Sequence, residues 1–372
     1  MPISPFKLER YFAEYEFKAR FLLSPSDCES LGLDELLSSA SPESRALWEA
    51  LRLGYTESQG HPLLREEIAR LYENTPPERL MVAVPEEAIF VLMNILLRPG
   101  DEVIAIAPAY QSLHEVARSL GCALLPWQVR LGSKGWELDL DWLADHLSEQ
   151  TRLVVVNFPH NPTGLLPDRQ KFQAIIELAR QRGTYLFCDE MYRGLEYTPH
   201  DRLPAAVDCY ERAISLSGLS KSYALPGLRL GWLALPDETL VQAALAFKDY
   251  TTICHSAPSE ILGLIALQNG SNILQRNLTI ILDNLQTTKG FCQRHGDLIE
   301  WLAPQAGSVA FPRWRGPGTV DEFCQTALEQ QGVMIVPGSI FDFPGNHFRL
   351  GLGRQNFSEA LGRLELMNIF SN

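Results

Sequence analysis

Between residues 80 and 250 the chain alternates short apolar runs with segments of helical spacing, and this alternation leaves few folds open. The runs are Glu102–Ala107, Cys122–Trp127, Arg152–Asn157, Tyr185–Asp189, Ala213–Ser217 and Leu230–Leu235. Each is too short for an ordinary helix and reads as a strand buried on both faces. Between most of them, apolar residues recur at helical intervals. In Pro167–Arg182, for example, Phe172, Ile175, Ile176, Leu178 and Ala179 form one stripe. A strand that returns parallel to an earlier one needs a long crossover, and helices supply it. The pattern predicts a three-layer α/β/α fold with a mainly parallel sheet. Ligands of such sheets bind beyond the carboxyl ends of the strands, so polar residues just after each run are the candidates for chemistry.

The two chain ends read differently. Helical stretches at Ser271–His295, Val320–Gln331 and Ser358–Met367 flank strand-like pieces around Gly332–Pro337 and His347–Leu352. They predict a large domain over residues 45–280 and a smaller α+β domain built from residues 1–44 together with 281–372. At 46% hydrophobic and 21% charged residues, the chain has the composition of a globular protein with a core. Lys and Arg number 32 against 45 Asp and Glu, and the net charge of -13 repels phosphate backbones. Nucleic acid is therefore not an expected partner, although a local positive pocket is still allowed. No apolar run approaches the roughly 20 residues of a bilayer span, and MPISPFKLERYFAEYEF has no signal-peptide core. Seven cysteines with no CxxC pair point to free thiols. The expectation is a cytoplasmic protein. Eight scattered histidines without HExxH or similar spacing predict no metal site.

Four polar segments stand at strand exits or turns. His160-Asn161-Pro162-Thr163-Gly164 follows the run ending at Asn157, and Asn-Pro and Thr-Gly are also ordinary turn chemistry. Asp189-Glu190-Met191-Tyr192 closes its run with a carboxylate, which a helix cap or an ion pair also uses. Ser217-Gly218-Leu219-Ser220-Lys221-Ser222-Tyr223 sets a lysine among small and hydroxyl residues. Gly227-Leu228-Arg229-Leu230-Gly231-Trp232 places an arginine between glycines at the entrance to a strand. Taken singly, each has a plain structural explanation.

Taken together, VVVNFPHNPTG, YLFCDEMY and SLSGLSKSYALPGLRLGW resemble, in order and separation, the pyridoxal 5′-phosphate (PLP) aminotransferases of class I/II. This is the fold-type I, aspartate-aminotransferase-like family. Weaker matches are YTESQGHPLLREEIA, PAYQSLHEVARSLG and VMIVPGSIFDFPGNHFRLGLG. The resemblance implies PLP as cofactor, an amino acid and a 2-oxo acid as substrates, and a homodimer with shared active sites. It implies that Lys221 forms the Schiff base and moves the substrate's Cα proton, which requires its pKa to fall from the usual value near 10.4. Asp189 would keep the pyridine nitrogen protonated. Asn161 and Tyr192 would hydrogen-bond the phenolic oxygen, and Tyr110 would stack on the ring. Arg229, with Ser220, would hold the phosphate, and Tyr55 would reach it from the neighbouring subunit. Arg349 would grip the substrate's α-carboxylate with a planar fork, alongside Asn161. Substrate selectivity would come from the N-terminal segment, from Thr251–Ser256 of the neighbouring subunit and from the region near Arg313–Arg315.

Two departures from the family pattern stand out. Where the family places a Gly-Ala-type turn that cradles the phosphate with backbone N–H groups, this chain reads Val84-Pro85-Glu86. Proline has no N–H to give, and Glu86 adds negative charge. Gly218 stands where many members carry a hydroxyl. The leading expectation is an aminotransferase. A PLP-dependent lyase or cyclase of the same fold stays open, as does a non-catalytic binding protein with a degraded phosphate site.

Overall fold

In the computed structural model, which describes residues 3–132 and 135–370, seven strands form the central sheet. They are β1 (Leu80–Ala83), β2 (Glu102–Ala107), β3 (Ala123–Gln128), β4 (Thr151–Asn157), β5 (Tyr185–Asp189), β6 (Ala213–Gly218) and β7 (Gly231–Ala234). Their order across the sheet is β1-β7-β6-β5-β4-β2-β3. The pairs β2–β3, β2–β4, β4–β5 and β5–β6 are parallel, and β7 runs antiparallel to both its neighbours. The predicted apolar runs are all strands, within about a residue of their expected ends. The sequence reading missed β1. Its four residues, LMVA, form too short a run to stand out before the turn Val84-Pro85.

Alternate residues of the strands face different cores, as the two-residue period of a strand requires. Leu80 and Val82 join Trp232, Ala234, Leu64 and Ile265 on one side. Met81, Ala83 and Leu233 join the larger cluster on the other. The sheet is thus buried on both faces, which is why its strands read as continuous apolar runs.

Four helices matter for the site: α1 (Lys7–Tyr15), α2 (Pro85–Leu96), α3 (Arg169–Arg182) and α4 (Gly270–Arg294). α2 leaves β1 directly, with Pro85 in its first turn, where a missing N–H costs nothing. α3 starts at Asp168, whose Oδ1 accepts from the Lys171 N–H at 2.7 Å, and stops at Gly183 in the left-handed region, φ 64°.

The chain ends are interwoven. Phe21–Leu22 pairs in parallel with Val333–Met334. A three-stranded sheet lies nearby, of β8 (Val309–Ala310), β9 (Val336–Pro337) and β10 (Phe348–Gly351), with β10 in the middle and antiparallel to both. The cysteines are free thiols, and Cys28, Cys122, Cys188, Cys292 and Cys324 are buried. Among the described residues no helix is long and apolar enough to cross a membrane, and no His/Cys/Asp/Glu group could hold a metal.

Candidate active site

The parallel register of β4 and β5 sets Asn157 beside Asp189 at the carboxyl end of the sheet. Asn157 acts as a strut. Its Nδ2 donates to the Asp189 carbonyl at 3.0 Å, and its Oδ1 accepts from the Asn161 N–H at 2.8 Å. His160 ties the same loop to the one after β2. Its ring nitrogens lie 2.7 Å from Thr163 Oγ1 and 2.7 Å from the Pro108 carbonyl. Burial pushes its pKa down to about 4, so the ring is neutral; Nε2 donates to Pro108 and Nδ1 accepts from Thr163. Tyr110, two residues beyond Pro108, is placed by this tie.

The lysine loop is held from three sides. Gly218 and Gly231 pair across β6 and β7. A Cβ on Gly218 would sit 2.9 Å from the Gly231 Cα, so the hydroxyl residue common at this position has no room. A Cβ on Gly231 would lie 2.8 Å from Pro85 Cγ, so the departure at Val84-Pro85 is matched by its neighbour across the turn. The Ser222 hydroxyl lies 3.0 and 2.8 Å from the carbonyls of Met191 and Arg193, and Asn277 on α4 donates to the Ser222 carbonyl at 2.9 Å.

These loops open onto a cavity of about 580 Å³. Eight of the nine residues singled out in the sequence line it: Lys221, Asp189, Tyr192, Asn161, Tyr110, Arg229, Ser220 and Arg349. The ninth, Tyr55, does not; it is 91% exposed, in a loop whose Ser58 donates to the Ile253 carbonyl at 2.7 Å.

Burial pulls the Lys221 ammonium below its usual pKa; Asp27 and Glu9 oppose this, and Arg349 and Arg229 reinforce it. Burial pushes the Asp189 carboxyl up to about 7, relieved in part by the Met191 N–H at 3.0 Å. No Lys or Arg nitrogen among the described residues lies within 4.0 Å of Asp189. The Ser220 hydroxyl, 5% exposed, has no partner among the described residues. Burial also raises the Tyr192 phenol, which keeps it a hydrogen-bond donor near neutral pH. Arg349 is buried on the central strand β10, not on an edge. Its Nε donates to the Ser24 carbonyl at 3.0 Å and its Nη1 to Asn161 Oδ1 at 3.2 Å. That bond turns the Asn161 amide so that its Nδ2 is left to donate. Arg229 has φ 53°, a left-handed conformation that strains a non-glycine residue. Burial pushes Glu86 up to about 7; Glu9 and Asp189 add to this and Arg229 opposes it. Near neutral pH Glu86 therefore carries only part of its charge, which softens the departure at Val84-Pro85-Glu86.

A buried carboxylate lacking a cation, a lysine amine whose pKa burial lowers, and a hydroxyl with no partner among the described residues form, with Arg229 on the same cavity wall, a donor set with a specific complement. They suit a ligand with a cationic ring nitrogen, an aldehyde and a phosphate, so the residues present fit PLP.

The sequence reading missed part of the wall. Phe6, Glu9, Phe12 and Glu16 of the N-terminal segment line the cavity with Ser26 and Asp27. The 9, 12, 16 spacing puts three of them on one helix face, but nothing in the sequence states what that face meets. The N-terminal segment was expected to touch the substrate region; Arg313–Arg315 was too, and it does not. Arg315 and Arg313 instead pair with Glu300, at 2.8 and 3.9 Å, on a surface strand away from the cavity.

Residues 35–364 match the family model described as aminotransferase class I and II. Capreomycidine synthase of Streptomyces vinaceus is 33% identical over 346 residues, 92% of this chain and 87% of that protein. A PLP-dependent aminotransferase of Streptococcus suis superposes with a TM-score of 0.90 at 28% identity, over 98% of this chain and 96% of the other. The PLP-dependent cyclase OrfR superposes equally well, 0.90 at 29% identity, over 98% and 97%. The chain belongs to the class I and II aminotransferases, and it is a PLP-dependent enzyme of the fold-type I kind.

Proposed function

We propose that the enzyme moves the α-amino group of an amino acid to a 2-oxo acid, with Lys221 as the group that carries the proton. The single observation behind this reading is the convergence of Lys221, Asp189, Asn161, Tyr192 and Arg349 on one cavity. Bound PLP supplies an aldehyde that condenses with amines and a ring that accepts the electron pair left when Cα loses its proton. Asp189 holds a proton at the ring nitrogen, and that cation in turn stabilises the buried carboxylate. Asn161 Nδ2 and the Tyr192 hydroxyl donate to the phenolic oxygen, and Tyr110 covers the ring face. Arg229 and Ser220 hold the phosphate. Arg349 holds the α-carboxylate, with Asn161 keeping the guanidinium plane in place. The Lys221 amine, lowered by burial, takes the Cα proton and returns it one bond away.

The enzyme acts as a homodimer in this reading. Leu53, Tyr55 and Tyr250 are 86%, 91% and 90% exposed, on loops joined through Ser58 and Ile253. Tyr55 from one copy would complete the phosphate site of the other.

Adding an amino acid to the purified, PLP-loaded protein should shift its visible absorbance and release one 2-oxo acid per site. Lys221→Ala should abolish turnover with the melting temperature nearly unchanged. A protein that never releases a 2-oxo acid overturns the reading. The likeness to OrfR and to capreomycidine synthase favours a second one, in which the same proton abstraction leads to elimination or cyclisation. Its signature is a cyclic or unsaturated product with no 2-oxo acid.

A further inference from the structure

The cavity wall carries five carboxylates, Glu9, Glu16, Asp27, Glu86 and Asp189, against three cations, Lys221, Arg229 and Arg349. Under the assignment above, the cations are engaged by cofactor and α-carboxylate. Asp189 meets the ring nitrogen, Glu86 lies at the phosphate end, and Asp27 pairs with Arg354 at 3.0 Å. Glu9 and Glu16 are left over. Among the described residues neither has a Lys or Arg nitrogen within 4.0 Å. Glu9 accepts from the Tyr110 hydroxyl at 2.8 Å, and no side-chain partner is found for Glu16 among the described residues.

Their placement is fixed. Both share a face of α1 with Phe12, whose ring lies 5.7 Å from the Arg349 guanidinium carbon. α1 is anchored by the Lys7–Asp342 ion pair, by the Tyr11 hydroxyl donating to the Ile335 carbonyl at 2.8 Å and by the Lys7 N–H donating to Gln111 Oε1 at 2.9 Å. The unpartnered Ser220 hydroxyl and Arg229 set the phosphate end, and Arg349 sets the carboxylate end. A substrate held between them, with Cα at Lys221, has the α1 face open to its side chain.

We infer that the amino-acid substrate carries a cationic side chain, a guanidinium or a primary ammonium, read by Glu9 and Glu16 with its methylene stem against Phe12. This rests on the function proposed above and adds the substrate class. A dicarboxylic amino acid finds no further cation on this chain's cavity wall and meets two like charges instead. A neutral side chain leaves both carboxylates without a cationic partner. The field agrees with this arrangement. Glu9 and Asp27 act on both Lys221 and Arg349, and burial with Asp27 and Glu9 nearby raises the Glu16 carboxyl, so negative charge is in surplus there.

The test uses matched pairs on the PLP-loaded enzyme: arginine against citrulline, lysine against norleucine, with aspartate as the anionic probe. The cationic member of at least one pair should exceed its neutral partner in kcat/KM by at least about tenfold, the size of one charge-assisted contact. The winning pair tells guanidinium from ammonium. In Glu9→Gln/Glu16→Gln the ratio should fall toward one, and Glu16→Lys should move the preference toward aspartate. Equal use of both members of each pair, a preference for aspartate in the wild type, or an unchanged ratio in the double variant overturns the inference. Equilibrium titration of PLP-loaded Lys221→Ala reads binding apart from chemistry. Tight binding of the cationic probes without any 2-oxo acid from the wild type keeps the substrate class and sinks transamination. Transamination of neutral probes alone does the reverse.

Discussion

Asp189 shows at the scale of one residue how the fold anticipates its cofactor. A carboxyl whose folded pKa, about 7, lies above its unfolded value near 3.9 binds protons more tightly in the fold. The stability it contributes is full below about pH 4 and is lost as pH rises through 7. In the PLP-free protein, Asp189→Asn should therefore stabilise relative to wild type, by an amount that grows between about pH 4 and pH 7 and then levels off. With PLP bound the order should reverse, because the ring cation then compensates the charge. Melting curves at several pH values check both; a difference that ignores pH contradicts the assignment. The same variant should slow the amino-acid half-reaction by roughly 10²–10⁴-fold, the usual range for a lost proton-holding partner. Asp189 and Lys221 were legible in the sequence because each stands in a motif at or just after the end of an apolar run, and Arg349 because its segment resembles the family pattern. Glu9 and Glu16 were not. Surface carboxylates on an amphipathic helix look alike whether they face water or a cavity.

At the scale of elements, the site depends on close approach of β6, β7 and the start of α2. Gly218→Ser should cost about 1–3 kcal/mol through overpacking against Gly231, read as a fall in melting temperature. An unchanged melting temperature would mean that the strands separate more easily than their contact suggests. Asp168→Ala removes the cap of α3 and should cost about 1 kcal/mol in chemical denaturation. The helix was expected from its apolar stripe, but its cap at Asp168 was not singled out in the sequence. Nor were the roles of Ser222 and Asn277. A buried asparagine inside a helix announces some polar partner, but only the packing of α4 on the lysine loop names it.

At the scale of the whole molecule, the proposed sharing of active sites between subunits carries a direct consequence. Lys221→Ala and Tyr55→Ala should each be impaired alone, and mixing the two under conditions that exchange subunits should restore activity, because one heterodimeric site then holds both native residues. No recovery despite demonstrated exchange would place Tyr55 outside the partner's site. What the sequence by itself determined was the alternation of strands and helices, the placing of chemistry at strand exits and the identity of the residues there. Those features are local: an apolar run, a turn, a cap and a motif each depend on neighbours a few positions away. Only the tertiary structure decided that Arg349 lies in a central strand, that Arg313 and Arg315 turn away from the cavity, and that α1 closes over it with Glu9, Phe12 and Glu16. The first and last of these depend on contacts between segments more than 300 residues apart, such as Arg349 with Ser24 and Tyr11 with Ile335. Such pairings are settled by how whole surfaces fit together, and no window of sequence contains both sides.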